Sequence, residues 1–354
     1  MKNVILLVLF SVLVFNMNAQ EQAKSYYNNG QLKSIGSYDE STRDFGIKKG
    51  EWKTYYENGQ LKSIGSHERI GAYHYKTQHG EWKFYYDNGQ LSEISNYSFG
   101  YKKGESKTYY KNGQLKESVS YKSSSVYGRT KKIGATKLYF ENGKLNQTGN
   151  YADDEDWAGD VKTGEWRIYD ENGQLINVGK YSLGERTGEW KEYYENGQLS
   201  NVGKYSVGVG TGEWKIYHKN GKLRGVGYLE NAIQEGEWKY YYDNAQLNII
   251  GNFEKGKKGG EWKYYRENGY LSSIGNYKNN YDHGESKLYH ANGQIYKDMI
   301  YKEGKLMDIL SCFDGKGNSL DKGTLVNGNG TINEYNMDGT LIKQVNYIDG
   351  VEKN

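Results

Sequence analysis

The chain contains no proline and only one cysteine among its 354 residues. Proline cannot donate a ladder hydrogen bond, so its absence is typical of a chain that lies mostly in strands. The single cysteine, Cys312, excludes an intrachain disulfide. Hydrophobic residues are also scarce. They make up 36% of the chain, and the mean hydropathy is −0.95. Those two values alone would indicate a disordered chain.

Aromatic side chains are abundant instead. The chain has 37 Tyr and 8 Trp, and aromatic residues make up 15% of it. Tyr and Trp favour strands, and each buries a large ring while keeping one polar atom hydrated. The formal net charge of +3 is too small to indicate a nucleic-acid partner. We therefore expect an ordered β-protein that does not bind nucleic acid.

One long apolar run stands at the N-terminus. It extends over the 12 residues from Val4 to Phe15, after Lys2. A membrane-spanning helix needs roughly 20 apolar residues, so the run is too short to cross a bilayer. It is typical of a secretory signal, and we predict a helical signal peptide over residues 1–19, with an uncleaved anchor as the alternative. The predicted location is the periplasm, the cell surface or the medium.

The rest of the chain repeats one sequence. The stretch Glu51–Leu61 returns as Glu81–Leu91 and as Glu189–Leu199, and its Asn-Gly pair recurs at steps of 24 or close to 30 residues. Asn-Gly between two strand-like runs is a strong hairpin signal. We predict an all-β fold, an elongated single-layer antiparallel sheet of tandem β-hairpin repeats in a solenoid-like array. About 11 units occupy residues 20–300, followed by degenerate C-terminal repeats or a cap at 301–354.

Several columns recur from unit to unit. Strand alternation places the Glu, the basic residue and the first Tyr on one face, and the Trp and second aromatic on the other. The structural columns are Trp52, Trp82, Trp166, Trp190, Trp214, Trp238 and Trp262, then Tyr55, Tyr85, Tyr109, Tyr193 and Tyr241, then Gly59, Gly89 and Gly197, and finally Leu61, Leu91 and Leu199. A two-residue turn would pair Trp52 with Gly65, where the missing side chain leaves room for the indole. A bulged turn would pair Trp52 with Ile64.

The unit Gly-Glu-Trp-Lys-x-Tyr-Tyr-x-Asn-Gly-Gln-Leu-x-x-x-Gly resembles the bacterial variant of the MORN repeat. It is similar to the repeat of YwqK-family antitoxin-like proteins, and the match extends from Lys24 to Tyr301. The resemblance implies an array of β-hairpins. It also implies scaffolding or protein binding, with phospholipid binding as a further association of the family.

Four connections between units are long, and all lie in the N-terminal half, at 39–49, 68–79, 122–133 and 152–163. Loops held on a rigid scaffold often carry binding residues, whereas tolerated surface insertions are the alternative interpretation. The candidate binding-loop residues are Tyr73, His74, Tyr127, Arg129, Asp154 and Trp157.

Catalytic and metal motifs are not complete. Gly251–Lys258 has the spacing of a phosphate loop but ends in Lys258, where Ser or Thr would bind the metal. His67, His74 and His79 share one connection, and the acidic run Asp153–Asp160 departs from the EF-hand pattern. Solvated loops are the simpler interpretation of both. We predict no catalytic, metal or cofactor site, and no enzyme activity.

The residues therefore predict a non-catalytic, exported repeat scaffold. We expect it to bind a protein partner through an extended aromatic surface and the long N-terminal loops. The alternatives are a module that binds a polysaccharide or a phospholipid surface, and an antitoxin or immunity protein of the YwqK type.

Overall fold

The computed structural model describes residues 22–38, 46–68, 78–123, 130–153 and 159–353. Strands and turns make up these ranges, and no helix occurs in them. The described part of the chain accordingly holds no helix that could span a bilayer. The predicted signal peptide at 1–19 lies outside the described residues, as do residues 39–45, 69–77, 124–129 and 154–158 of the four long connections.

The chain divides into two compact units, residues 1–131 and 132–354. The first contains β1 (Ala23–Tyr26), β2 (Leu32–Tyr38), β3 (Lys48–Tyr55), β4 (Leu61–His67), β5 (Gln78–Tyr85), β6 (Leu91–Ser98), β7 (Tyr101–Tyr109) and β8 (Leu115–Ser123). Each of these strands pairs with the next in antiparallel orientation.

The second unit contains most of β9 (Thr130–Tyr139), followed by seventeen further strands. They are β10 (Leu145–Tyr151), β11 (Lys162–Tyr169), β12 (Leu175–Ser182), β13 (Glu185–Tyr193), β14 (Leu199–Ser206), β15 (Val209–Tyr217), β16 (Leu223–Glu230), β17 (Ile233–Tyr241), β18 (Leu247–Glu254), β19 (Lys257–Tyr265), β20 (Leu271–Lys278), β21 (Tyr281–Tyr289), β22 (Ile295–Lys302), β23 (Lys305–Cys312), β24 (Gly330–Tyr335), β25 (Leu341–Ile348) and β26 (Val351–Lys353).

Strands β9 to β23 pair consecutively, again antiparallel, and β24 to β26 form a separate three-stranded sheet. Each unit is thus a run of hairpins in which a strand contacts its neighbours in sequence. The predicted all-β array of tandem hairpins is confirmed.

The Asn-Gly turn has the bulge of one predicted alternative and the Trp52–Gly65 pairing of the other. In the first full repeat, the Tyr56 N–H donates to Gln60 O at 2.8 Å and the Gly59 N–H donates to Tyr56 O at 3.0 Å. Gly59 has φ +84°, so this is the bulged three-residue turn. A second bulge in β4 then restores the register, and Trp52 pairs with Gly65. Ala245 replaces the turn glycine in one repeat and adopts φ +75°.

Within each unit, a bulge of three residues opposite one occurs where a hairpin pairs with the hairpin before it. Between the pairs Ile35–Lys53 and Ser37–Lys49, three residues of β3 lie opposite the single residue Gly36 of β2. The bulge directs the Trp52 indole onto Gly36, where an added Cβ would overlap the ring. The interpretation that Gly65 makes room for Trp52 is therefore wrong. Gly65 receives Trp82 of the next repeat, because the bulge shifts each indole one strand towards the preceding hairpin.

An aliphatic core forms at the C-terminal end of the second unit. It contains Met299, Leu306, Ile309, Leu325 and Ile332, with Leu288, Tyr301 and Tyr347 packed against it. The Leu306 N–H donates to Gly350 O at 3.2 Å, and the Gly328 N–H donates to Met307 O at 2.8 Å. The last residues thus cover part of the outer edge of β23, which would otherwise present unpaired backbone groups.

Candidate binding faces

One face of the sheet, which we call the tryptophan face, carries the Trp column, the glycines beneath it and the aromatic residue that closes each hairpin. Six of the indoles are buried, namely Trp52, Trp82, Trp166, Trp190, Trp238 and Trp262. Each donates its Nε1–H to the carbonyl of the residue after the glycine that it covers, at 2.9–3.2 Å. Trp214 differs, since it is half-buried and its Nε1 has no hydrogen-bond partner.

Trp190 shows how a single-layer sheet buries an indole. Its ring lies edge-to-face with Tyr181 of the preceding repeat at 5.1 Å and with Tyr205 of its own repeat at 6.2 Å. The Arg186 guanidinium lies over it, 4.3 Å from the ring centroid. Aromatic pairs and cation–π contacts thereby replace the second layer that normally covers a sheet. The tryptophan face is filled by its own side chains.

The position that closes each hairpin holds Tyr or Phe in most repeats but histidine in one of them. His67 lies edge-to-face with Trp52 at 6.3 Å and with Trp82 at 5.0 Å. Burial, helped by the nearby charge of Lys48, lowers the pKa of His67 from 6.5 to about 4. The imidazole is therefore neutral at pH 7 and acts as a packing ring.

The column of the second aromatic has a function that the sequence pattern did not reveal. The Tyr56 hydroxyl donates to Tyr85 O of the next repeat at 2.8 Å, and the Tyr194 hydroxyl donates to Tyr217 O at 2.7 Å. His218 and Arg266 occupy the same column and contact the equivalent carbonyls at 2.9 Å. Tyr, His and Arg all carry a donor on a long side chain, and that shared property was the available signal.

The turn asparagine also links neighbouring repeats. Asn196 Oδ1 accepts the Gln198 N–H at 3.1 Å within its own turn, while its Nδ2 donates to Lys219 O of the next turn at 2.8 Å. The same outward bond from Nδ2 recurs at Asn58, Asn88, Asn142, Asn220, Asn244 and Asn292. The asparagine therefore serves both the turn conformation and the stacking of turns.

The opposite face, which we call the tyrosine face, carries the first Tyr of each repeat, the leucine paired with it and the Glu and basic columns. Tyr55 pairs with Leu61, Tyr85 with Leu91 and Tyr193 with Leu199, and all six are half-buried. Tyr109 and Tyr241 occupy the same column, opposite Leu115 and Leu247.

Ion pairs run along the tyrosine face. Glu51 and Lys53 approach to 2.9 Å, and the same pair recurs at Glu81–Lys83, Glu105–Lys107, Glu165–Arg167, Glu189–Lys191, Glu213–Lys215, Glu237–Lys239 and Glu261–Lys263. The hydrogen bond to Glu51 raises the pKa of Lys53. Because both partners are solvent-exposed, the pairs set a charge pattern more than they stabilise the fold.

A shallow groove of about 280 Å³ lies on this face in the second unit, lined by Glu213, Val226, Tyr228, Glu237 and Lys239. Among the described residues, no group of three or more His, Cys, Asp or Glu side chains is placed to hold a metal ion. The candidate loop residues Tyr73, His74, Tyr127, Arg129, Asp154 and Trp157 lie outside the described residues.

The repeat pattern matches a known family model along most of the chain. The model of the MORN repeat variant matches residues 22–40, 48–68, 78–98, 102–123, 132–153, 162–182, 186–206, 211–231, 234–255, 258–279 and 282–303. The chain belongs to the MORN repeat variant family. MORN repeats are generally non-catalytic binding repeats, and membership of this family suggests a repeat scaffold or a binding module.

Solved structures add little to this assignment. A crystal structure of TcdB2-TccC3 is 13% identical, with 93% of this chain covering 20% of that one at a TM-score of 0.16. A TcdB2-TccC3-Cdc42 structure is 12% identical, with 94% covering 22% at 0.16. The chain thus spans about a fifth of the length of these structures. No curated protein matches it.

Proposed function

We propose that this MORN repeat protein is an exported, non-catalytic scaffold that binds a protein partner through its tyrosine face and its long N-terminal connections. The observation that carries the proposal is the contrast between the two faces. The tryptophan face is occupied by its own rings and cations, whereas the tyrosine face presents half-buried tyrosines beside solvent-exposed ion pairs.

The tyrosine face has the chemistry of a protein interface. Tyr is enriched at interfaces because its ring supplies contact area and its hydroxyl a hydrogen bond at low entropic cost. Two strands per repeat place successive tyrosines about 10 Å apart. The alternating Glu and Lys charges favour one alignment of a partner that carries the complementary charges.

A charge-swap variant tests the use of this face. Glu189 and Lys191 exchange places (Glu189→Lys with Lys191→Glu), and the same exchange is made at Glu213/Lys215 and Glu237/Lys239. The ion pairs, the net charge and the strands remain, so thermal stability should be unchanged. We expect capture of the partner from envelope extract to fall at least tenfold. Capture at the wild-type level would contradict a role of the tyrosine face.

A loop-trimmed variant tests the other half of the proposal. The four long connections are each replaced by a two-residue turn of the kind that joins Ser182 to Glu185. Reduced recovery of the partner would support a role of the candidate loop residues, and equal recovery would refute it. The swap variant is measured in parallel, so the contributions of the face and the loops are separated.

The same swap variant distinguishes the alternative ligands. Liposome or glycan retention by the purified chain, lost in the swap variant and without any captured protein, would indicate a surface-binding module. Retention on anionic liposomes that weakens steeply with salt would indicate phospholipid headgroups. A captured toxin would indicate the antitoxin alternative.

A further inference from the structure

A shallow groove interrupts the tryptophan face of the second unit, between the indole column and the Asn-Gly turns. Its volume is about 420 Å³, and its apolar and aromatic walls are His218, Tyr240, Tyr242 and Ile249. Tyr240 stacks on Trp238 at 5.8 Å, which places the groove on this face. The volume lies within the range of about 300–1,000 Å³ that is usual for small-ligand sites. We call it the β15–β18 groove.

Gly225 leaves the space in which the groove lies. It pairs with Ile216 on one side and with Tyr240 on the other, and an added Cβ would lie 3.1 Å from the Tyr240 ring. In the preceding repeat Asn201 holds the equivalent position, and its Nδ2 donates to Glu192 Oε2 at 3.0 Å. A row that a hydrogen-bonded pair fills in one repeat is therefore open in the next.

The tyrosine walls of the groove are held by contacts with the rest of the sheet. The Tyr240 ring stacks on Trp238 with an interplanar angle of 23°, and its hydroxyl accepts a hydrogen bond from Gln234 Nε2 at 2.8 Å. The Tyr242 hydroxyl donates to Tyr265 O at 2.7 Å. Both rings are thus fixed before a ligand binds, which lowers the entropic cost of binding.

Four polar side chains line the same groove, and they are Arg224, Asp243, Asn248 and Glu267. Within the part of the chain that the structure describes, none of these four side chains forms a hydrogen bond, an ion pair or a ring contact. Asn248 is half-buried and the other three are exposed. All four are therefore available to a ligand.

The two acidic residues of the groove are carried on fixed turns. Asn220 Nδ2 donates to Asp243 O at 2.9 Å, and Asn244 Nδ2 donates to Glu267 O at 3.0 Å. These bonds use the backbone carbonyls of both residues, so they hold the turns and leave the carboxylates unengaged. Binding groups on fixed elements need little reorganisation when a ligand arrives.

The lining groups favour a neutral ligand that carries hydroxyl groups. Two carboxylates disfavour an anion, and the Arg224 guanidinium disfavours a cation. A guanidinium only donates hydrogen bonds and a carboxylate only accepts them, whereas a hydroxyl does both. Several hydroxyls on one ligand therefore offer a partner to each of the four polar side chains. Tyr240 and Tyr242 add ring surface for the apolar C–H groups of the same ligand.

We propose that the β15–β18 groove binds a neutral saccharide. The C–H groups of one sugar ring lie against Tyr240 and Tyr242, and its hydroxyls pair with the four polar side chains. Because the groove is shallow, it admits a unit within a longer saccharide chain. The site lies on the tryptophan face, so it is separate from the tyrosine face to which a protein partner is assigned above.

The first measurement surveys ligands with the full chain. The probe is a printed array of neutral, acidic and cationic oligosaccharides, and the structures that retain the chain are then titrated as free sugars by NMR. We expect neutral structures to be retained and charged ones to be retained at least tenfold less. Chemical-shift changes should include the Trp238 indole, because its ring stacks on Tyr240.

A groove variant tests the site itself. Arg224→Ser with Glu267→Gln removes one donor and one carboxylate at exposed positions, and Ser200 occupies the position of Arg224 in the preceding repeat. The melting temperature should stay equal, while the dissociation constant of the saccharide should rise at least tenfold. Glu195→Gln is the matched control, since Glu195 is exposed at the same turn position as Glu267 but outside the groove. The control should bind the saccharide as wild type does.

Three results would overturn the proposal. They are a chain that no neutral saccharide retains or titrates, a groove variant that binds the saccharide as tightly as wild type, and binding confined to acidic or cationic structures. Reduced capture of a protein by the groove variant, without saccharide binding by wild type, would assign the groove to a protein segment instead.

The two binding proposals fail independently of each other. The charge-swap variant of the tyrosine face should keep saccharide binding, because its exchanges lie on the opposite face. The groove variant should in turn keep capture of the protein partner. Saccharide binding lost in the swap variant and kept in the groove variant would place the sugar on the tyrosine face and refute this site.

Discussion

The tryptophan–glycine contact between adjacent repeats is the smallest unit of stability in this protein. Gly179 lies beneath the Trp190 indole, which leaves no space for a methyl group. In the two units, the pair is retained at seven junctions, Gly36–Trp52, Gly65–Trp82, Gly149–Trp166, Gly179–Trp190, Gly203–Trp214, Gly227–Trp238 and Gly251–Trp262. A glycine in a strand is ordinarily unfavourable, so its presence here follows from the close approach of the ring.

Gly179→Ala should destabilise the second unit by about 1–3 kcal/mol, the usual effect of overpacking a filled site. Gly275→Ala is the matched control. Trp is replaced by Ser286 at that junction, and the nearest atom to an added Cβ is 3.4 Å away. The control should be neutral or slightly stabilising. Chemical denaturation followed by Trp fluorescence measures both, and equal losses would refute the contact as the cause.

His67 should make the first unit sensitive to acid. Its pKa of about 4 in the folded chain is below the ordinary 6.5, so protonation favours the unfolded state. The stability that neutral His67 contributes to the folded chain is fully present above pH 6.5 and is lost as the pH falls towards 4. Because the ring is half-exposed, the expected loss is about 1 kcal/mol.

The substitution His67→Tyr tests this effect, since Tyr occupies the same closing position at Tyr38 and Tyr97. The variant should retain the edge-to-face contacts and lose stability less steeply between pH 6.5 and 4. Thermal unfolding at several pH values measures the difference. Parallel pH profiles for the two proteins would exclude His67 as the titrating group.

At the scale of the hairpin, bonds from side chain to backbone join each element to the next. The donor column and the turn asparagine both reach the following repeat, so a hairpin is incomplete without its neighbour. The strands, their two faces and the ion-paired Glu–Lys columns follow from alternation and turn chemistry alone. The hydrogen bond that the second aromatic column donates to the next repeat does not follow from them. Tyr, His and Arg occupy this column, and their common role becomes clear only when the carbonyl that each contacts is located.

Tyr194→Phe should cost about 0.5–1.5 kcal/mol, because it leaves Tyr217 O without the donated hydrogen bond while preserving the ring. Tyr194→His should recover most of that loss, since His218 contacts the equivalent carbonyl in the next repeat. Equilibrium unfolding of the three proteins compares them. If the Phe and His variants are equally stable, the ring and not the hydrogen bond explains which residues occupy this column.

At the scale of each whole unit, stability should vary along the run of hairpins because every repeat contacts only its neighbours. In the first unit the junction of β6 and β7 has Ser95 and Ser106 in place of the glycine and the indole. Their hydroxyls form a 2.6 Å hydrogen bond instead. A serine pair buries far less apolar surface than an indole on glycine.

Hydrogen exchange should reveal this weaker junction. Backbone amides of β7 should exchange roughly tenfold faster than those of β5, where Trp82 covers Gly65. The double substitution Ser95→Gly with Ser106→Trp should raise the protection of β7. Ser106→Trp alone should lower it, because the Ser95 side chain occupies the space of the indole. Uniform protection of both strands would contradict a stability that depends on the indole contact.

The amino-acid sequence by itself determined the repeated hairpin, the positions of its turns, the two faces and the ion-paired charge pattern. These features depend on strand alternation and turn conformation within a single repeat, and those are local. Only the tertiary structure decided which glycine each indole covers and which carbonyl each donor reaches. Those contacts depend on the register between hairpins, which a bulge shifts so that each Trp packs on the preceding repeat and not on its own.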